Sequence, residues 1–441
     1  MCSTTRQLLA IAGLAAIIAT GPVQAQESEA VAPPLAAPAL CFAPDTPDHV
    51  VQAAMARAAL AHEALSLAPP SPGLKYQLAG RWSSTATQGC CLSQGDPTIL
   101  TWSIVPDGTP IPGYNGEPSA ASTLRSFLDS IYGSQSVWLP IFQSVFDRWS
   151  EVAGVTYVYE PNDDGSTFAY SSGALGVRGD VRIGGHPIDG NSGILAYNFY
   201  PNTGDMVIDT PDSFYTNTGG GSIRLRNVLA HEHGHGLGFA HVCPVNQTKL
   251  MEPYLTTSFD GPQLDDILAA NRHYGDRLEH ADTVGTAATV GTLPTVLGDL
   301  SIDDNADVDL FRVTAAANLA LAVEVRPNGA TYLSGPQNSN GSCSAGTSFD
   351  ALRIHDLAVT VLDRDGSTIL AASDAGGLGD PETLAEVALP SGAGDYFVRV
   401  DGDTTDSAQM YEIELSLVLA SAIFSDGFEG QDTEAWSGSW P

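Results

Sequence analysis

Positive charge is scarce in this chain: 18 lysines and arginines stand against 51 aspartates and glutamates, a formal net charge of −33. A surface that acidic offers no basic stripe to a phosphate backbone and repels anionic lipid, so nucleic acid and charged membrane surfaces are set aside as partners. Long apolar runs are missing as well. The longest runs from Leu8 to Thr20, short of the roughly 18 residues a spanning helix needs, so no membrane span is expected. With Arg6 before it and Val23-Gln24-Ala25 after it, that run reads as a signal peptide over residues 1–25, which points to an exported, soluble protein. Cysteine is thin too, with 6 in 441 residues. Loss of Cys2 with the signal leaves Cys41, Cys90, Cys91, Cys243 and Cys343, an odd set in which at least one thiol is free or pairs between chains. Neighbouring cysteines rarely bond to each other without strain, so either Cys90 or Cys91 is open to Cys243, and the connectivity stays undecided.

Against this background one segment stands out. His231-Glu232-His233-Gly234-His235-Gly236-Leu237-Gly238-Phe239-Ala240-His241 has the spacing H-E-x-x-H-x-x-G-x-x-H. Positions four apart on a helix share a face, so His231 and His235 can present two imidazoles to one ion. Glu232 falls beside that ion, placed to act as a general base. Gly238 permits the left-handed backbone that swings His241 round as third ligand. Three neutral imidazoles leave a fourth tetrahedral position for water, the pattern of a catalytic zinc. His233 points about 100° off the ligand face and reads as a solvated or packed bystander.

Ten residues on, Leu250-Met251-Glu252-Pro253 resembles the methionine turn of the matrixin branch of the metzincin zinc endopeptidases, with Met251 and Pro253 at its matching positions. Leu264 through Tyr274-Gly275 is similar to that family's closing helix, and Asp189-Gly190-Asn191-Ser192-Gly193-Ile194-Leu195-Ala196-Tyr197 to its loop and edge strand. The resemblance implies an α+β metzincin catalytic domain, a twisted mixed sheet with about three helices, acting on a protein or peptide substrate laid along the strand Ile194 to Tyr197. It also implies one catalytic zinc and a structural calcium at Asp189, Asp209 and Asp212; the competing reading of those aspartates is ordinary turn residues. Departures accompany the match. Tyr197 and Val207 stand where the family has histidines of a structural zinc, so none is expected although His186 lies nearby; Val242 replaces a serine, and Tyr254 directly follows Pro253. Cys41-Phe42-Ala43-Pro44-Asp45 is similar to the family's propeptide switch C-G-x-P-D without its glycine, which leaves Cys41 as a switch thiol, a disulfide partner or part of a simple steric block.

Composition divides the rest. Residues 26–75 are Ala- and Pro-rich, with a helix expected from about His49 to Leu67 and a break at Pro69-Pro70-Ser71-Pro72, as in a propeptide and hinge. The catalytic domain is placed at 76–276 and a linker at 277–292. An all-β sandwich domain follows at 293–419, from short alternating strands such as Asp309–Val313, Ala358–Leu362 and Gly394–Val400. That part resembles the pre-peptidase C-terminal domains of secreted bacterial proteases. Asp303, Asp304, Asp307 and Asp309 read first as a solvated acidic turn, with calcium as the alternative. The tail 420–441, with Phe424, Phe428 and Trp436, has no assigned use. The expectation is a secreted zinc endopeptidase of undetermined oligomeric state; the alternatives are a binding or adhesion protein with a vestigial protease, or a narrow processing enzyme or toxin.

Overall fold

The computed structural model describes residues 38–61, 76–169 and 171–420, all within one compact unit, Leu35–Pro441. The signal peptide, the Pro-rich hinge, the end of the helix expected to Leu67 and the aromatic tail lie outside the described residues.

Six strands form the first sheet: β1 (Ala39–Phe42), β2 (Thr98–Ile104), β3 (Val155–Tyr159), β4 (Val181–His186), β5 (Ile194–Asn198) and β6 (Met206–Asp209). Their spatial order is β1-β5-β6-β4-β2-β3. The centre of the sheet is parallel, while β5 runs antiparallel to both β6 and β1. Every residue of β4, β5 and β6 is buried, as expected of strands covered on both faces. Arg182 within β4 is tolerated there because its guanidinium meets the equally buried Asp163 at 2.7 Å.

The helices are α1 (Asp48–Ala61), α2 (Leu124–Tyr132), α3 (Gln135–Val152), α4 (Gly219–Gly236) and α5 (Leu264–Tyr274). In α3, Trp138, Phe142, Val145, Phe146, Trp149 and Val152 recur at three-to-four spacing and are buried, which lays the helix on the sheet. The short α2 adds a helix to the three expected between residues 76 and 276; it buries only Leu124 and Leu128 fully, too brief a pattern to stand out in the sequence.

Beyond α5 the chain is all β. A five-stranded sheet (Ala288–Thr289, Val308–Ala315, Gly394–Asp401, Ala358–Leu362, Ile369–Ser373) and a four-stranded sheet (Thr295–Ile302, Gln409–Leu419, Leu319–Asn328, Glu382–Ala388) share one apolar cluster including Phe311, Val359, Tyr396 and Ile413. The expected sandwich is therefore present. It is not held off by a free linker: Ala281, Ala287 and Val290 are buried, and Leu310 N–H bonds to Ala281 O. A third, three-stranded sheet joins Val242–Cys243 beside the histidine motif to Thr331–Pro336 and Thr347–Asp350 of the all-β region. Cys243 and Cys343 form a disulfide there, so neither Cys90 nor Cys91 is the partner of Cys243.

Candidate metal centre

The last turns of α4 carry His231, Glu232 and His235, all fully buried. The helix stops at Leu237 and Gly238 takes φ +99°; a Cβ there would lie 2.2 Å from Gly80 O. Glycine is thus required twice over, by conformation and by space. The turn delivers His241, whose Nε2 sits 3.2 Å from both His231 Nε2 and His235 Nε2, these two being 3.1 Å apart. Tetrahedral ligands about 2.0–2.1 Å from zinc would be roughly 3.3–3.4 Å apart, so the triangle has the size of a zinc face.

The opposite ring nitrogens explain why all three Nε2 atoms are free to converge. His231 Nδ1 meets Leu250 O at 2.7 Å, His235 Nδ1 meets Phe239 O at 2.6 Å and His241 Nδ1 meets Gln337 Oε1 at 2.7 Å. Each partner is an acceptor, so each Nδ1 carries the proton and each Nε2 presents a lone pair. Burial favours the neutral rings, holding His231 down to about 3 and His241 to about 4. Three lone pairs aimed at one point repel unless a cation lies between them; the donor set fits zinc.

Met251 lies beneath, 1% exposed, and a Cβ on Gly234 would come within 2.4 Å of its sulfur. Its turn is held by Asp266 of α5, whose carboxylate accepts from Leu250 N at 2.8 Å and Met251 N at 3.0 Å. Asp266 also caps its own helix through Gln263 N. Sequence reading passed over this residue, although the Gln263-x-x-Asp266 spacing of a capping box was a signal for it. His233 is packed, not solvated: its ring is buried between Phe146 and Tyr157, with Nε2 2.6 Å from Tyr157 Oη.

Glu232 is the unmatched group of the site. It is 0% exposed and neither oxygen has a partner within hydrogen-bond geometry. The polar neighbour facing it is Cys41: the thiol sulfur, a His231 ring nitrogen and a Glu232 oxygen lie within 4.8 Å of one another. Cys41 is free and buried, which removes the disulfide reading. It is carried in by β1, which pairs with β5 in the register Ala39↔Asn198, Leu40↔Tyr197, Cys41↔Ala196. Phe42 N–H bonds to Pro253 O and Ala43 N–H to Gly193 O. Tyr254 packs its ring 6.3 Å from that of Phe42 and donates to Asp48 of α1.

Asp189, Asp209 and Asp212 gather at one loop, with their oxygens occupied by backbone N–H groups of Ile188, Gly190, Ser192, Ile194 and Phe214. They do not form a set of three ligand atoms within 4.8 Å; among the described residues Glu279, Asp303 and Asp307 do. The turn faces solvent at Asn305 and Ala306 with Asp304 and Asp307 half-buried, as a solvated turn would, but Asp303 and Asp309 on either side are 2% and 1% exposed, with residues 276–282 and the loop at Gly95 packed nearby. Burial and mutual repulsion push the carboxyls of Glu279, Asp303, Asp307 and Asp309 upward. On the sheet, Tyr197 donates to Glu117 at 3.0 Å with His186 alongside. Burial alone would raise Glu117, but His186 and the N–H groups of Tyr114 and Asn115 hold it down to about 2.

Comparison with known proteins fits this geometry. Residues 133–275 match the matrixin peptidase family model. Karilysin of Tannerella forsythia is 34% identical over 141 residues, 30% of this chain and 28% of that protein. Metalloendoproteinase 2-MMP of Arabidopsis thaliana is 29% identical over 146 residues, 31% of this chain and 36% of that one. The match thus spans about a third of the length of these curated relatives or less. A solved pre-peptidase C-terminal domain of a Bacillus anthracis collagenase aligns with 30% of this chain and 94% of its own length, at 14% identity and a TM-score of 0.19, too low to carry an argument.

Proposed function

From a matrixin peptidase segment at residues 133–275, we propose that this chain is an exported zinc endopeptidase, made as a latent precursor and inhibited by its own β1. The observation that carries the reading is the buried Glu232, whose carboxylate faces the Cys41 thiol beside three converging imidazoles. His231, His235 and His241 would hold the zinc. Zinc bound there supplies Lewis acidity toward a carbonyl oxygen and makes nearby water more acidic. Glu232 takes a proton from the attacking water through a carboxylate oxygen and returns it to the departing amine. Among the described residues no N–H group ties up its carboxylate, which keeps the capacity this shuttle needs.

Substrate takes the place of residues 39–42. β1 already shows what the edge of β5 accepts: an extended antiparallel strand with one residue turned toward His231 and Glu232. Removing it frees the backbone N–H and C=O groups of β5 for a peptide strand. Latency is therefore chiefly steric, with the Cys41 thiol occupying the reacting centre. For calcium, the part-buried Glu279, Asp303 and Asp307 set, in which Asp303 Oδ2 lacks a partner, is the better-supported site than Asp189, Asp209 and Asp212. A mixed peptide library, incubated with full-length chain and with chain lacking residues 1–75, tests the function. The expected result is zinc-dependent cleavage by the shortened form alone. Many cleaved motifs mark a general protease and a single motif a processing enzyme; no cleavage would leave the binding-protein reading.

A further inference from the structure

We infer that Gln337, supplied by the all-β region, is a positioning residue of the metal centre that fixes the tautomer and orientation of His241. The inference rests on the zinc reading and goes beyond it, because it makes a segment 96 residues away part of the site. His231 and His235 find acceptors in backbone carbonyls 19 and 4 residues distant. His241, which lies beyond the end of α4, instead meets the Gln337 side chain at 2.7 Å.

The amide orientation is settled by its other end. Gln337 Nε2 donates to Gly341 O at 3.0 Å, and a carbonyl can only accept, so Oε1 must face the imidazole. His241 Nδ1 then carries the proton, and its Nε2 is left with a lone pair toward His231 and His235. A glutamine free to flip would offer N–H to the ring and favour the other tautomer, which cannot bind the metal through Nε2.

Gln337 is also anchored as a ligand support must be. Val242↔Pro336 and Cys243↔Gly335 pair as antiparallel neighbours, a register that continued by one residue places Gln337 across from His241. The Cys243–Cys343 disulfide closes the same junction, with Cα atoms 5.4 Å apart. Gln337 and Cys343 form a β-bridge and Asn338 N–H bonds to Ser342 O at 2.8 Å, so the loop between them closes on itself, with Gly341 lying against Val51 and Met55 of α1. The all-β region therefore reaches the chemistry through one hydrogen bond with a covalent tether behind it.

The test uses the full chain and reads zinc affinity by chelator competition, alongside long-range 1H–15N spectra of the metal-free histidines. Gln337→Met keeps the bulk and removes the acceptor; the expected loss in zinc affinity is about 10–100-fold, with His241 passing to a mixture of tautomers. Gln337→Glu keeps an acceptor for the same proton, and its affinity should equal or exceed that of the parent. The proposal is overturned if Gln337→Met binds zinc within about twofold of the parent, or if Gln337→Glu is as weak as Gln337→Met. A parent chain that binds no zinc at these histidines overturns the metal reading itself, a result distinct from either.

Discussion

Phe42→Ala in the unprocessed chain should raise peptidase activity without touching a single residue of the mature catalytic site. Phe42 is 0% exposed and packs in a cluster with Leu40, Val51, Tyr114 and Ile194, its ring against Tyr254. Truncating a buried phenylalanine costs about 3–5 kcal/mol. Because that packing exists only while β1 lies along β5, the loss falls on the closed form alone. At 1.4 kcal/mol per decade the open population grows by about 10²-fold to about 4 × 10³-fold. Initial rates on a quenched fluorescent peptide, with gels confirming that the chain stays uncut, should rise by that factor until the open form dominates. The same protein after removal of residues 1–75 should match the processed parent, since residue 42 is gone. A folded, uncut Phe42→Ala precursor as silent as the parent would refute the idea that apolar burial of β1 maintains latency.

Gly238→Ala should lose at least tenfold in zinc affinity and melt earlier: a Cβ 2.2 Å from Gly80 O at φ +99° forces the turn to move, and the left-handed conformation itself costs about 1–2 kcal/mol. A variant with parental zinc affinity by chelator competition would show that this turn does not place His241. For pH, Asp205 is informative, being buried and accepting from Ala169 N and Arg182 N. Burial pushes its carboxyl up to about 7, against roughly 3.9 in an unfolded chain. The folded protein thus keeps a proton that the unfolded chain releases, and this group costs stability progressively as pH rises from about 4 to 7. Asp205→Asn lacks that cost, so its stability deficit in urea unfolding should shrink between pH 5 and 7.5, and a deficit constant across that range contradicts the shift.

The zinc ligands were legible because their geometry is local: a helical repeat of four and one left-handed turn place all three within eleven residues. Met251 and its turn were readable through the resemblance of Leu250-Met251-Glu252-Pro253 to the matrixin methionine turn, and the β sandwich followed from period-two alternation with Gly and Asp turns. What supports these residues was not legible. Gln337 sits in an unremarkable stretch, and nothing in its neighbourhood signals pairing with Val242–Cys243; the odd cysteine count even left Cys343 without an assigned partner. Glu117 escaped for a similar reason, since its bonds to Tyr197 and His186 are made across the sheet between segments far apart in sequence. The acidic turn at Asp303 looked solvated because charge dominates its composition, whereas the burial of Asp303 and Asp309 on either side comes with residues 276–282 packed nearby, a tertiary effect invisible to a local reading.

The measurement that tests the account most directly is kcat and zinc content of Glu232→Gln, prepared without residues 1–75. The amide preserves the shape of the side chain and leaves the three histidines untouched, so one zinc per chain should remain. It cannot accept the proton, and general-base catalysis carries about 10²–10⁴ in rate, so kcat should fall by at least a hundredfold. Zinc retained with kcat within tenfold of the parent would contradict the assignment of Glu232 and, with it, the proposed chemistry of this site.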